Sequence, residues 1–313
     1  MPPKVLITSE YFAKFSPEAR TLLVNAGLDV IDNPYGHTQL NQSQMIPYIG
    51  NANAIICDLE PIDRSVIDAA PVLKIIARRG VGIDSVDWKY AQEKGIEVAR
   101  TLGVVEMPVA ELVMGYVLEL SRHISSMSQR MHEGKWERQE CHSVAGRTLG
   151  IIGMGRIASQ VARLASAFQM KVLYYDVTKN EAVEDETGAR YASLKVLLAE
   201  ADFVTLHTPL TDETRGMVNA DLLLRMKKGS CLINTARGAI VDAAAVRSAI
   251  EQGLLSGAAI DVYDREPETE SVLMGVPGVI LTPHIGTFTQ ETFIRMDVEA
   301  AKNVIRCLIP ERS

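Results

Sequence analysis

The chain is poor in aromatic residues, at 5%, and its four cysteines are scattered. Cys57, Cys141, Cys231 and Cys307 form no close pair of the kind that ligates a metal, and Ile56, Leu232 and Leu308 set three of them in apolar runs. Buried thiols are therefore expected, rather than disulfides or a metal centre, and they suit a reducing cytosol. No uninterrupted apolar stretch reaches the roughly 20 residues that cross a bilayer. The opening MPPKVLITSEYF enters a strand-like run at once, without the apolar region and cleavage site of a leader, so a cytoplasmic protein is expected. Positive charge is also short, with a formal net charge of −7. That excludes a nucleic acid or an anionic membrane held by bulk charge, and any anionic ligand must be held by local basic groups.

What is present is alternation. Short β-rich apolar runs alternate with longer helical patterns throughout the 313 residues, which are enough for two domains. The first series places strands near Lys4–Thr8, Leu28–Asp32, Ala54–Asp58, Lys74–Arg78 and Ile96–Ala99. Ser16, Pro17 and Glu18 open a helix that Gly27 closes. A helix over Val109–Met131, broken by nothing but Gly115, reads as a spine or a subunit contact. The second series places six strands at Thr148–Ile152, Lys171–Tyr175, Asp202–His207, Ser230–Asn234, Gly257–Asp261 and Val279–Leu281. A final helix spans Thr289–Ile309, with Phe293, Met296, Ala300, Val304 and Leu308 on one side. The expected class is α/β, with two doubly wound parallel-sheet domains. A domain of residues 101–286 is inserted in one of residues 1–100 and 287–313.

The turn Gly153-Met154-Gly155-Arg156-Ile157-Ala158 follows the strand TLGII and opens a helix. This is G-x-G-x-x-G/A in the context the motif requires. One glycine allows the tight turn, the next lets backbone approach a pyrophosphate, and the helix N-terminus supplies free N–H groups. Asp176 ends the following strand, KVLYYD. An acid there accepts hydrogen bonds from a ribose 2′-OH and repels a 2′-phosphate, favouring NAD over NADP. Lys179, three residues on, works slightly against that preference.

The other unusual polar groups also follow strands: His207-Thr208-Pro209 after DFVTL, Thr235-Ala236-Arg237 after SCLIN, Asp261 after GAAI and His284 after VILTP. In an open parallel sheet these carboxyl ends share one edge, where ligands bind. Hydride transfer to a ketone carbon needs a proton donor near its oxygen, and histidine suits that work near neutrality. Glu266, in the loop after Asp261, would favour the imidazolium form of His284. Arg237 can grip a carboxylate with two parallel hydrogen bonds.

These residues resemble the D-isomer-specific 2-hydroxyacid dehydrogenases over nearly the whole chain. The motifs that carry the resemblance are Gly80-Val81-Gly82-Ile83-Asp84, LGIIGMGRIA at 149–158, HTPLTDETRGMVN at 207–219, NTARGAIVD at 234–242, GAAIDVYDREP at 257–267 and TPHIG at 282–286. The resemblance implies a Rossmann NAD domain within a flavodoxin-like substrate domain, a substrate in a cleft between them, and a homodimer formed through the long helix. It implies Arg237, Glu266 and His284 as the catalytic set. Cofactor contacts are implied at Gly153, Gly155, Arg156, Ile157, Asp176, His207, Thr208, Pro209, Thr235, Ala236, Asp261, His284 and Gly286. Substrate contacts are implied at Arg78, Val81, Gly82 and Arg237. Ser85, Val105 and Asp58 depart from the usual pattern, which leaves glyoxylate, hydroxypyruvate and 3-phosphohydroxypyruvate open as substrates. Two other readings stay open here, an NAD(H)-sensing corepressor-like binding protein and a phosphite-type dehydrogenase.

Overall fold

A computed structural model describes residues 1–36 and 38–309. The chain divides into two compact units, Met1–Val105 with Thr287–Ser313, and Glu106–Gly286.

The first unit holds β1 (Lys4–Ile7), α1 (Glu18–Asn25), β2 (Asp29–Ile31), α2 (Gln42–Ile49), β3 (Ala54–Cys57), α3 (Arg64–Asp68), β4 (Ile75–Arg78), α4 (Trp88–Glu93) and β5 (Glu97–Arg100). Its strands are all parallel, in the order β2-β1-β3-β4-β5, so the order reverses beside β1. Alternate side chains leave opposite faces of this sheet. Leu6, Ile55, Cys57 and Ile76 pack on Met45, Ile49, Val66 and Ala91 of α2, α3 and α4. Val5, Ile7, Ala54, Ile56 and Ala77 pack on Ala19 and Leu23 of α1 and on Ala300, Ala301 and Val304 near the chain end. Both faces are covered, which is why these strands read as continuous apolar runs.

The second unit holds α5 (Glu106–Arg122), α6 (Ile124–His132), β6 (Thr148–Ile152), α7 (Arg156–Ala167), β7 (Lys171–Tyr175), α8 (Glu181–Thr187), β8 (Arg190–Tyr191), α9 (Leu194–Glu200), β9 (Phe203–Leu206), α10 (Ala220–Leu223), β10 (Ser230–Asn234), α11 (Ala243–Glu251), β11 (Leu255–Ile260) and β12 (Val279–Leu281). Its parallel sheet runs β12-β11-β10-β9-β6-β7-β8, with the reversal between β6 and β9. One face packs on α5 and α7, the other on α9, α10 and α11. The doubly wound, two-sheet α/β class read from the alternation is thus the observed one. The last helix, α12 (Gln290–Leu308), belongs to the first unit, where it packs against α1 and β4. Thr289 caps it by accepting the Thr292 N–H.

Three expectations need correction. The predicted helix 109–131 is two helices, because His123 adopts a left-handed conformation with φ 49° and interrupts the ladder. The Glu119 carboxylate then accepts the Ser125 N–H and restarts the helix. The second sheet has a seventh strand, β8, whose two exposed residues carry no apolar signal. The four cysteines are free, but Cys141 and Cys307 are only partly covered.

Candidate active site

The glycine turn sits where β6 passes into α7. Gly153 has φ 91° and lies so close to the end of β9 that a Cβ would stand 2.8 Å from the His207 carbonyl carbon. Close approach therefore joins the turn to the His207-Thr208-Pro209 segment, and only glycine permits it. Gly155, the residue before the first turn of α7, faces open space. Arg156 and Ile157 begin the helix and bring its unpaired N–H groups there.

Asp176 follows β7. Its carboxylate accepts the Met154 N–H at 2.6 Å, which ties it to the turn. Lys179 lies over the Tyr191 ring at 5.4 Å. His207 holds Thr205 Oγ1 at 3.0 Å, and burial pushes its imidazole down to about 4. It is neutral near pH 7, so it adds no charge to the site. The hydroxyl oxygens of Thr208 and Thr235 are buried and have no hydrogen-bond partner among the described residues. Unpaired buried hydroxyls at two neighbouring strand ends are costly unless a ligand satisfies them. Together with the open backbone at Gly155, they fit a dinucleotide on this edge.

Beyond β10, Asn234 is fully buried and organises the turn that carries Arg237. Its Nδ2 donates to the Arg237 carbonyl at 2.9 Å, and its Oδ1 accepts the Ala236 N–H at 3.0 Å. Arg237 Nη1 donates to the Ala236 carbonyl at 2.6 Å. Next to it, a Cβ on Gly238 would overlap the Tyr263 carbonyl carbon, so the Arg237 turn is pressed onto the loop that follows β11.

That loop carries Glu266. One carboxylate oxygen accepts the Tyr263 N–H at 3.0 Å and the other pairs with His284 Nδ1 at 2.7 Å. Burial raises the Glu266 carboxyl, but hydrogen bonding and charge from His284, with help from Arg237, leave it below its ordinary value. Glu266 is therefore ionised at neutral pH. No partner within the described residues takes His284 Nε2, and a third of the side chain is exposed. His284 has φ 52°, an uncommon left-handed conformation for a residue with a Cβ. Asp261 maintains it. Its carboxylate accepts the N–H groups of Ile285 at 2.8 Å and Gly286 at 2.9 Å, and the Thr282 hydroxyl at 2.6 Å. The hydroxyl of Tyr116, on α5, closes onto that same Thr282 oxygen. Burial outweighs these bonds and raises the Asp261 carboxyl.

In the first unit, β4 runs into the turn Gly80-Val81-Gly82. The fully buried Thr101 clamps Gly80 from both sides, accepting its N–H at 2.7 Å and donating its own to the Gly80 carbonyl at 3.0 Å. The N–H groups of Val81 and Gly82 have no hydrogen-bond partner among the described residues. Consecutive free amides of this kind make an anion-binding concavity. Arg78 is 9% exposed, and its Nε donates to the Gly82 carbonyl at 3.0 Å. Its neighbour Arg79 is more deeply buried, held by Ser9, Asp58 and Asp297.

The second unit thus gathers Arg237, Glu266 and His284 with Asp261 and the glycine turn, while Arg78, Val81 and Gly82 lie in the first. Sequence reasoning gave no role to Asn234, Tyr263, Thr282 or Tyr116. Three of these adjoin predicted strand ends, which was a usable signal. Tyr116 lies inside a helix and offered none.

Residues 114–286 match the profile of the D-isomer specific 2-hydroxyacid dehydrogenase NAD binding domain. The chain belongs to the D-isomer-specific 2-hydroxyacid dehydrogenase family. It is similar to a glyoxylate reductase of Korarchaeum cryptofilum, 39% identical over 83% of this chain and 81% of that protein. It is also similar to a hydroxypyruvate reductase of Thermotoga maritima, 38% identical over 78% of this chain and 81% of that protein. Among solved structures, the TT0316 protein of Thermus thermophilus superposes with a TM-score of 0.88 at 36% identity, covering 97% of this chain and 96% of that one. The protein is accordingly an NAD-dependent 2-hydroxyacid dehydrogenase, and NAD is its cofactor.

Proposed function

We propose that this dehydrogenase interconverts a small 2-oxoacid and its D-2-hydroxyacid, with glyoxylate, hydroxypyruvate and 3-phosphohydroxypyruvate as the candidate acids. The observation that carries the reading is the 2.7 Å pair between His284 Nδ1 and Glu266, beside the turn that bears Arg237. NAD, when bound, supplies or accepts the hydride. Gly153, Gly155, Arg156 and Ile157 would hold its pyrophosphate, and Asp176 its adenosine ribose. His207, Thr208, Pro209, Thr235, Ala236, Asp261 and Gly286 would line its remaining length.

In this reading the chain's own groups divide the work. Glu266 accepts the hydrogen bond of His284 Nδ1–H and holds the ring, which leaves Nε2 to donate a proton to the carbonyl oxygen during reduction and take it back during oxidation. Arg237 orients the carboxylate and polarises the carbonyl, a task for a planar fork of donors. In the first unit, the amides of Val81 and Gly82 are a further group able to hold a carboxylate. Similarity to reductases named for glyoxylate and hydroxypyruvate favours an unphosphorylated acid.

Two further points belong to this proposal. We assign a homodimer to α6 and the segment after it. No residue of α6 is buried, and Ile124, Met131 and Trp136 are 57%, 51% and 76% exposed. We also assign the enzyme to the cytoplasm, in keeping with its free thiols.

The test is a panel of 2-oxoacids assayed by NADH and NADPH absorbance. Turnover of glyoxylate or hydroxypyruvate with NADH is the expected result. A protein that binds NADH and reduces no acid would make this a binding module instead.

A further inference from the structure

Arg78 stands where a direct grip on substrate would be expected, yet its guanidinium is committed inwards. It is 9% exposed and its Nε is spent on the Gly82 carbonyl. A Cβ on Gly80, whose φ is 133°, would overlap Nη1, so the guanidinium lies directly against the Gly80 α-carbon. It therefore fills the inside of the turn, touching its first residue and bonding its last. Thr101 fixes the same turn through two hydrogen bonds to Gly80. What the turn has left to offer are the N–H groups of Val81 and Gly82.

We propose that Arg78 is a positioning residue: by bonding the Gly82 carbonyl and packing on Gly80 it shapes the Val81–Gly82 amide pair, so that the pair receives the carboxylate common to every 2-oxoacid. This rests on the substrate reading above. The physical reason is preorganisation. Free amides bind an anion well only when their directions are fixed beforehand. Arg78 thus contributes through the backbone, without touching substrate.

The two roles separate by substrate. Glyoxylate has nothing beyond its aldehyde and carboxylate, whereas hydroxypyruvate carries a further hydroxymethyl group. A direct contact to the distal part of a substrate would leave glyoxylate unaffected. Positioning of the amide pair affects both alike. The experiment compares wild type, Arg78→Met and Arg78→Lys by steady-state kinetics on both acids, with NADH fluorescence titration and thermal unfolding on each protein. In Arg78→Met, KM should rise about tenfold or more for both acids by a similar factor, as expected for loss of a charge-assisted bond. kcat should stay within about threefold and NADH affinity should not change. Arg78→Lys keeps the charge without the Nε–H and should fall between. Should Arg78→Met fail to fold, a parallel KM rise in Arg78→Lys supports the same conclusion. An unchanged KM, or a rise confined to hydroxypyruvate, overturns the inference. Wild-type enzyme that reduces neither acid overturns the substrate reading and this inference with it.

Discussion

At the scale of single residues, the imidazole and its acidic partner do different things and fail differently. His284→Ala removes the proposed proton donor and should lower kcat by about 10²–10⁴-fold while NADH titrates as in wild type. Glu266→Gln keeps a hydrogen-bonding group beside Nδ1 but loses the charge. A charge-assisted hydrogen bond is worth about 1.5–3 kcal/mol, so kcat should fall by about 10- to 10²-fold. Equal activity of Glu266→Gln and wild type would show that the 2.7 Å pair is only structural. These residues were legible in the sequence because each follows a strand, and strand ends were readable from the apolar runs. The support beneath them was not. That Asp261 staples the His284 turn through the Ile285 and Gly286 amides depends on backbone geometry, which no spacing reveals.

At the scale of elements, the site depends on loops held in contact. The Arg237 turn and the Glu266 loop are separated in sequence and meet because Gly238 has no side chain. Gly238→Ala should push them apart. A displacement near 1 Å can cost about 10²-fold in a reaction that relies on orientation. We expect kcat/KM to fall at least tenfold with NADH affinity little changed, and wild-type kinetics in the variant would refute the packing argument. The long-helix expectation failed at this scale too. His123 sits in a pattern compatible with a continuous helix, and only its φ of 49° shows that the chain turns there. Propensity sums over a window cannot register one residue in a left-handed conformation.

At the scale of the whole molecule, stability and assembly come into view. Glu60 is fully buried after β3, and burial followed by the neighbouring Asp58 charge raises its carboxyl to about 7, against an opposing pull from Arg78. A folded-state value above the unfolded one means a contribution to stability that is complete below about 4.5 and lost as pH rises through 7. Glu60→Gln, which cannot ionise, should therefore gain on wild type across that window, by about 3 kcal/mol at most, at 1.36 kcal/mol per pKa unit. Unfolding curves of the two proteins at pH 5 and pH 8 measure this, and a difference that does not grow with pH would show that Glu60 does not titrate there. For assembly, light scattering should give the mass of two chains for wild type. Trp136→Glu places a charge on the exposed face beyond α6 and should give the mass of one. A variant that stays dimeric would move the interface elsewhere.

The amino-acid sequence by itself determined the periodicities: strands buried on both faces, helices between them, a glycine turn opening α7, and polar groups set after strands. These are local properties of chain and solvent, so they need no knowledge of what lies across the sheet. Tertiary structure alone decided which atoms meet. It turned the Arg78 guanidinium into its own turn, buried Arg79 between Asp58 and Asp297, and left the Thr208 and Thr235 hydroxyls without partners. Those outcomes arise where segments distant in sequence compete for the same hydrogen bonds and the same space, and such competition exists only once the chain has folded.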